Sequence, residues 1–141
     1  MSQLPALHAA ATLFMVGLIW TIQVVHYPLM LKVPASGFVE YERSHTQRMG
    51  TLLAVPAGIE ITTAVALIWA RPEAVGLASV MIAGALLAAI WIITAFVQVP
   101  LHSRLSKGHD VGLISQLVTS NWWRTAAWTL RGILVTSMLV V

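Results

Sequence analysis

Residues 75–99 read VGLASVMIAGALLAAIWIITAFVQV and contain no charged side chain. A helix needs about 20 consecutive apolar residues to cross the hydrocarbon core of a bilayer, so this stretch is long enough for one crossing. Three further apolar runs occupy residues 7–30, 49–70 and 121–141. Residues 1–6 have no Lys or Arg, unlike the start of a signal peptide, so the first run is predicted to be a retained helix.

The composition of the whole chain favours the same interpretation. Of its 141 residues, 58% are hydrophobic and 9% are charged, whereas a soluble domain carries about 25% charged residues. So few charges exclude a disordered chain, a nucleic-acid-binding module and an ordinary soluble enzyme. The chain has no cysteine, which excludes thiol chemistry and thiolate metal ligands. We therefore predict a single all-α transmembrane domain over residues 1–141, with the lipid bilayer as its main partner.

The hydrophilic segments determine the predicted topology. Polar loops at residues 31–48 and 101–120 alternate with a short hairpin at residues 71–73, which gives an up-down-up-down bundle with both termini on one side. Among the basic residues near the two ends of the predicted bundle, only Arg71 lies on the side of the termini. The loop side has six basic residues: Lys32, Arg43, Arg48, Arg104, Lys107 and Arg124. The positive-inside rule then places the polar loops in the cytoplasm and the termini outside, in a bacterial inner membrane.

Each predicted helix carries its polar residues on one face, mostly at spacings of three and four. Such side chains turn toward the bundle interior because lipid offers them no hydrogen-bond partner. In chain order, the four stripes are Gln23, His26 and Tyr27; His45, Arg48 and Glu60; Trp91, Thr94, Gln98 and His102; and Asn121, Arg124, Trp128 and Arg131.

Glu60 and Arg131 lie at matching depths in two of these stripes. At 1.5 Å per residue, they are about 15 Å and 13 Å below the loop side. An unpaired charge near the bilayer centre costs about 2.5–3.5 kcal/mol, so we predict that the two residues pair. Two interpretations stay open: a salt bridge that locks two helices together, or a catalytic proton-transfer site.

Three histidines from separate helices, His26, His45 and His102, are predicted to meet at the cytoplasmic end. Neutral imidazoles in helical bundles hold copper, iron, zinc or haem, so we predict a metal or haem site here. The alternative is that interfacial histidines bond to headgroups or loop carbonyls, with no cofactor. Glu40, Glu42 and His109 lie in the nearby loops and are available to the same site. The sequence assigns no definite role to His8 or to His109.

The run Asn121-Trp122-Trp123-Arg124-Thr125 also has two interpretations. In the structural one, Asn121 caps the fourth helix and the tryptophans anchor it at the interface. In the functional one, Arg124 and Arg48 stabilise an anion, a carbonyl or a phenolate inside a pocket for a flat aromatic ligand. The predicted catalytic residues are then Arg48, Glu60, Arg124 and Arg131, and the predicted ligand- or cofactor-binding residues are Tyr27, Gln98, Asn121 and Trp128.

Several motifs spread over nearly the whole chain support a family resemblance. They are His26-Tyr27-Pro28, the side chains Phe38, Tyr41, His45 and Glu60, the run Gln98-Val99-Pro100-Leu101-His102, and NWWRTAAWTLR at residues 121–131. In these motifs the chain resembles a family of small bacterial four-span membrane proteins of unknown function. That family is distantly related to fungal anthrone oxygenase-like proteins. The resemblance implies a four-helix membrane bundle and oxidation of a polycyclic phenol.

Three functions are therefore weighed. The first is a membrane oxidoreductase or oxygenase that acts on a lipophilic aromatic or quinone-like small molecule, with or without a metal. The second is a non-catalytic metal- or haem-binding accessory subunit of a membrane complex. The third is a proton-coupled transporter that uses Glu60 and Arg131. It is ranked last because the sequence shows no pair of broken helices, which transporters of this kind contain. Assembly into a homo-oligomer is compatible with each of them.

Overall fold

The computed structural model describes residues 3–140, and this part of the chain is all-helical with no strand. The all-α prediction is therefore confirmed. Residues 1–2 of the predicted domain lie outside the described residues. So does Val141, the last residue of the predicted fourth span. The four long helices, numbered in chain order, are α1 (Leu4–Met30), α2 (Ala35–Ala70), α3 (Leu77–Leu105) and α4 (Val111–Ser137).

Three of these helices, α1, α2 and α3, are long and apolar enough to cross a membrane. Helix α4 is less apolar because it carries Asn121, Arg124 and Arg131. Two of those side chains, Asn121 and Arg131, are fully buried, whereas apolar residues such as Leu130 and Ile133 are exposed. Asn121 and Arg131 therefore lower the average hydropathy of α4 although both lie inside the bundle and not on its outer surface.

The segments predicted as polar loops are largely helical. Helix α2 begins at Ala35 rather than near residue 49, and α4 begins at Val111 rather than near residue 121. Asp110 is the N-cap of α4, since its carboxylate accepts a hydrogen bond from the Leu113 N–H at 3.0 Å. The interpretation of Asn121 as a helix cap is therefore wrong. Polarity in the sequence marks where an apolar surface ends, not where a helix ends.

Helices α1 and α3 each contain one π-helical turn, at Ile22–His26 and Thr94–Gln98. In each, the N–H of the next residue donates to the carbonyl five residues back. Each turn is followed by a proline, Pro28 or Pro100, which lacks an N–H group. The locally wider turn lets the helix continue through the proline, so α3 runs on to Leu105 instead of ending at the proline.

Apolar side chains pack in three clusters that follow one another along the bundle. At the loop end, defined by the connections 31–34 and 106–110, the cluster includes Met30, Phe38, Leu105, Ile114 and Leu117. The middle cluster is Met15, Ile19, Leu87, Ile90 and Trp128. The cluster nearest the 71–76 connection includes Ala9, Leu67, Val80, Ala83 and Val135. The middle cluster separates two groups of buried polar residues, one around Glu42 and one around Arg131.

Candidate functional site

Three side chains from α2, α3 and α1 form a hydrogen-bonded line at the loop end. Glu42 Oε1 lies 2.6 Å from His102 Nδ1, and His102 Nε2 lies 3.1 Å from the Tyr27 hydroxyl. Because a carboxylate only accepts, Nδ1 carries the hydrogen and Nε2 is free to accept from Tyr27. The Tyr27 proton therefore points at an imidazole that a fully buried carboxylate orients.

Arg124 of α4 lies near the same tyrosine, since both residues line one cavity. Nη1 of Arg124 donates to Asn121 Oδ1 at 2.9 Å, Asn121 Nδ2 donates to Gln23 Oε1 at 2.8 Å, and Gln23 Nε2 donates to the Val118 carbonyl at 3.1 Å. Since arginine can only donate, this chain fixes both amides in one orientation. Within residues 3–140, Arg124 forms no ion pair with a carboxylate.

A cavity of about 360 Å³ adjoins these residues. Its polar lining includes Tyr27, His45, Gln98, His102 and Arg124. The rest of the wall is mainly apolar and comes from α1, α2 and α3, with Ile22, Met49, Leu53 and Val99. The volume is within the range of small-ligand pockets, and a mainly apolar wall with a few polar groups suits a lipophilic ligand with a polar edge.

The three histidines predicted as metal ligands come together beside this cavity. His26 and His45 stack with ring centroids 4.3 Å apart and planes 24° apart, and the centroids of His45 and His102 are 5.3 Å apart. His26 Nε2 also lies 3.3 Å from the Tyr41 hydroxyl. Stacked rings face one another instead of directing their nitrogen atoms at one point. Accordingly, no three His, Cys, Asp or Glu side chains in the described part of the chain are arranged to hold a metal ion.

Arg48 and Trp128, two of the predicted site residues, do not line this cavity. Arg48 is exposed, donates from Nε to Ser44 Oγ at 3.2 Å and lines a separate surface groove. It follows His45 by three residues, and this turns it about 60° from the face that His45 shares with the cavity. Trp128 is buried in the middle apolar cluster, about one helical turn below Arg124. The structure thus does not bring Arg48 to Arg124, and it places Trp128 in the core rather than in the pocket wall.

The predicted ion pair of Glu60 and Arg131 is present in the other half of the bundle. Arg131 Nε and Nη2 lie 2.7 Å and 2.6 Å from Glu60 Oε1. Thr12 donates to the same oxygen at 2.9 Å, and Arg131 Nη1 donates to the Ala83 carbonyl. Three side chains and one backbone carbonyl take part, and each belongs to a different helix, so the pair ties α1, α2, α3 and α4 together.

His8, which the sequence left without a role, completes this second cluster. Arg131 Nη2 donates to His8 Nε2 at 3.1 Å, so His8 Nδ1 carries the hydrogen and donates to Thr63 Oγ1 at 2.7 Å. The cavity beside His8 and Arg131 is only about 10 Å³, too small for a ligand. The cluster therefore fits the interpretation as a structural lock. The spacing of four between His8 and Thr12 was the available signal.

Glu42 is the residue of the loop-end site that sequence reasoning placed in a loop. Its spacing from Phe38 and His45, four and three residues, is that of one helical face. Both Phe38 and Glu42 are fully buried on the extension of α2. The pattern was therefore visible in the sequence, but the polarity of the segment concealed it.

No protein-family model, curated protein or solved structure matches this chain. The resemblance to the bacterial four-span family therefore stays a prediction.

Proposed function

We propose that the chain is an integral membrane protein with an up-down-up-down bundle and both termini on one side. The residue pairs between helices support this topology, since His8 meets Thr63 near one end of α1 and His26 meets Tyr41 near the other. As the residue number rises along α1, the residue number of its contact on α2 falls, which is the pattern of antiparallel helices. Between α3 and α4 the corresponding pairs are Gln98–Ser120 and Ala83–Arg131.

We further propose that the loop-end cavity is an acid–base active site for a lipophilic aromatic or quinone-like substrate, in an oxidoreductase or oxygenase. One observation carries this proposal: the Glu42–His102–Tyr27 line ends at a hydroxyl beside a cavity that the half-buried Arg124 also lines. A base oriented by a third group and placed next to a cation is the arrangement that enzymes use to remove a proton.

In this mechanism, each member of the line has a separate role. His102 Nε2 accepts the Tyr27 proton, and Tyr27 takes the proton of the bound substrate hydroxyl. Glu42 stabilises the imidazolium that forms, and Arg124 stabilises the new oxyanion in surroundings with few competing waters. General acid–base catalysis of this kind contributes about 10²- to 10⁴-fold to a rate.

A metal-dependent site is the second candidate, and the proximity of three imidazoles favours it. Copper, iron or zinc would draw on His26, His45 and His102 after their rings rotate toward a common point, and the unpartnered Oε2 of Glu42 offers a fourth donor. A non-catalytic metal- or haem-binding accessory subunit would use the same residues. Stoichiometric metal in purified wild-type protein, lost in His45→Ala, would favour this candidate over the acid–base site.

The acid–base proposal is tested with a lipophilic nitrophenol, whose phenol and phenolate forms absorb at different wavelengths. Bound to the detergent-purified protein, the probe is expected to ionise about one pKa unit below the free probe, because Arg124 stabilises its anion. Arg124→Met should abolish the shift, whereas Arg48→Met, a matched arginine outside the cavity, should retain it. Equal ionisation of the bound and free probe, or an undiminished shift in Arg124→Met, would overturn the proposal.

A further inference from the structure

Two buried polar atoms in residues that line the loop-end cavity have no hydrogen-bond partner. They are Arg124 Nε, a donor, and Gln98 Oε1, an acceptor. Gln98 is 2% exposed, so bulk water does not donate a hydrogen bond to its side-chain oxygen. Buried polar atoms are nearly always paired in native proteins, so two unpaired atoms of opposite character at one cavity indicate a ligand that supplies both partners.

The orientation of the Gln98 amide follows from its neighbour. Gln98 Nε2 lies 2.9 Å from Ser120 Oγ, and the Ser120 hydroxyl donates its single hydrogen to the Gln116 carbonyl at 2.6 Å. Ser120 can therefore only accept from Gln98, and this places the amide nitrogen on Ser120 and leaves the oxygen free. The free atom of Gln98 is thus an acceptor, which a ligand hydroxyl or N–H can satisfy.

The orientation of Arg124 is fixed in the same way. Its Nη1 is bound to Asn121, whose own amide is held by Gln23. Its Nε–H is a charged donor without a partner, and it suits an oxyanion better than a neutral oxygen. Arg124 and Gln98, which carry the two unpaired atoms, both line the mainly apolar cavity.

We infer that the ligand is a lipophilic dihydroxyaromatic compound of the hydroquinone type, bound as its monoanion in preference to the corresponding quinone. One oxygen, deprotonated through Tyr27 to His102, accepts from Arg124, and the second hydroxyl donates to Gln98. The proton lost by the ligand appears on His102 Nε2, so charge and atoms balance. A quinone has acceptors only and leaves Gln98 unpaired, and a monophenol satisfies one of the two atoms. This inference rests on the proposed acid–base site.

Binding calorimetry under anaerobic conditions tests it with three ligands that carry the same short alkyl chain: a hydroquinone, its monomethyl ether and the quinone. We expect the hydroquinone to bind at least about tenfold more tightly than the other two, because a site built to bond a hydroxyl rejects analogues without it. In Gln98→Met, the affinity for the hydroquinone should fall to the affinity for the quinone. Gln116→Met, on the exposed face of α4, is the matched control and should bind like the wild type.

Gly50 provides a second variant that does not depend on Gln98. It lines the cavity, and a Cβ added there meets no atom within 4 Å, so Gly50→Leu fills the cavity without disturbing the helix. Gly58, on the same helix and equally open, gives the control Gly58→Leu. Gly50→Leu should abolish binding of all three ligands, and Gly58→Leu should preserve it.

The outcomes separate the two levels of the proposal. If the three ligands bind equally well and Gly50→Leu blocks all of them, the cavity is a ligand site but the preference for a hydroquinone is overturned. If none of the ligands binds, or if binding persists in Gly50→Leu, the proposed site itself fails. A tenfold preference in the wild type that Gln98→Met removes supports both.

Discussion

Glu42 is buried on α2 at 2.6 Å from His102, and its second oxygen has no partner. A buried carboxylate in this position determines which nitrogen of His102 carries hydrogen, and so whether the ring can accept the Tyr27 proton. The proposed acid–base chemistry therefore depends on a side chain that does not line the cavity. The role we propose for Glu42 is to orient the imidazole and to stabilise its charge.

Glu42→Gln tests this role at the scale of a single atom. The amide can donate to Nδ1, which moves the hydrogen to Nε2 and removes the acceptor for Tyr27. We expect the ionisation shift of the bound nitrophenol to disappear, while binding of its neutral form stays within about threefold of wild type, because the cavity wall is unchanged. Absorbance titration measures both quantities. A retained shift would show that His102 works without the carboxylate.

The Glu60–Arg131 pair calls for a different test, since its cluster is interpreted as a lock. Glu60→Gln alone leaves a buried unpaired arginine and should destabilise the protein by about 3–5 kcal/mol. The double variant Glu60→Gln/Arg131→Met removes both charges and should recover most of that loss. Thermal unfolding measures the stability, and the nitrophenol titration measures the site. A well-folded double variant with no ionisation shift would assign the pair to function instead.

At the scale of elements, the cap of α4 and the extension of α2 place the loop-end residues. Helix α2 starts before Glu42, and α4 starts at Val111 after its Asp110 cap, so the polar segments are rigid helix rather than loop. The two π-helical turns lie beside the site, at Ile22–His26 and Thr94–Gln98. Each changes the face that the following residues present, which simple helical spacing does not anticipate.

Asp110→Ala measures how much the α4 cap contributes. The Leu113 N–H loses its partner, and we expect the free energy of unfolding to fall by about 1 kcal/mol. Asp110→Asn, an equally good cap, should restore most of it. Ligand affinity should not change in either variant, because Asp110 lies outside the cavity. A loss of affinity without a loss of stability would contradict this assignment.

Sequence reasoning reached the helical class, the inward polar stripes and the Glu60–Arg131 pair, because period and polarity determine which face is buried. It named Glu42 only as a loop residue near the histidines, because the polarity of residues 31–48 predicts a loop where the structure has the start of α2. It also did not reach the stacking of His26 on His45. Spacing shows which face a residue occupies, but side-chain rotamers decide where its nitrogen atoms point.

At the scale of the whole molecule, the bundle contains two buried polar groups separated by an apolar layer. The loop-end group borders a cavity of about 360 Å³, and the group around Arg131 borders one of about 10 Å³. Buried polar groups with room for a ligand suit chemistry, and those without room suit cross-linking of helices. The molecule thus has one half with the proposed active site and another half in which buried polar residues link the helices.

The proposed topology is tested by single-cysteine labelling, for which the cysteine-free chain needs no prior substitutions. Lys107→Cys and Glu73→Cys are both exposed, in the connections at opposite ends of the bundle. In intact bacterial cells, a membrane-impermeant maleimide should label Glu73→Cys and should reach Lys107→Cys only after permeabilisation. Labelling of both positions from the same side would overturn the topology, and the reverse pattern would invert the orientation.

The acid–base site is tested most sharply by the ionisation of nitrophenol bound to wild-type protein after exhaustive chelation of metals. We expect the bound probe still to ionise about one pKa unit below its free value, because Glu42, His102, Tyr27 and Arg124 supply the stabilisation themselves. A bound probe that ionises like the free one would rule out this site. So would a shift that chelation removes and added metal restores.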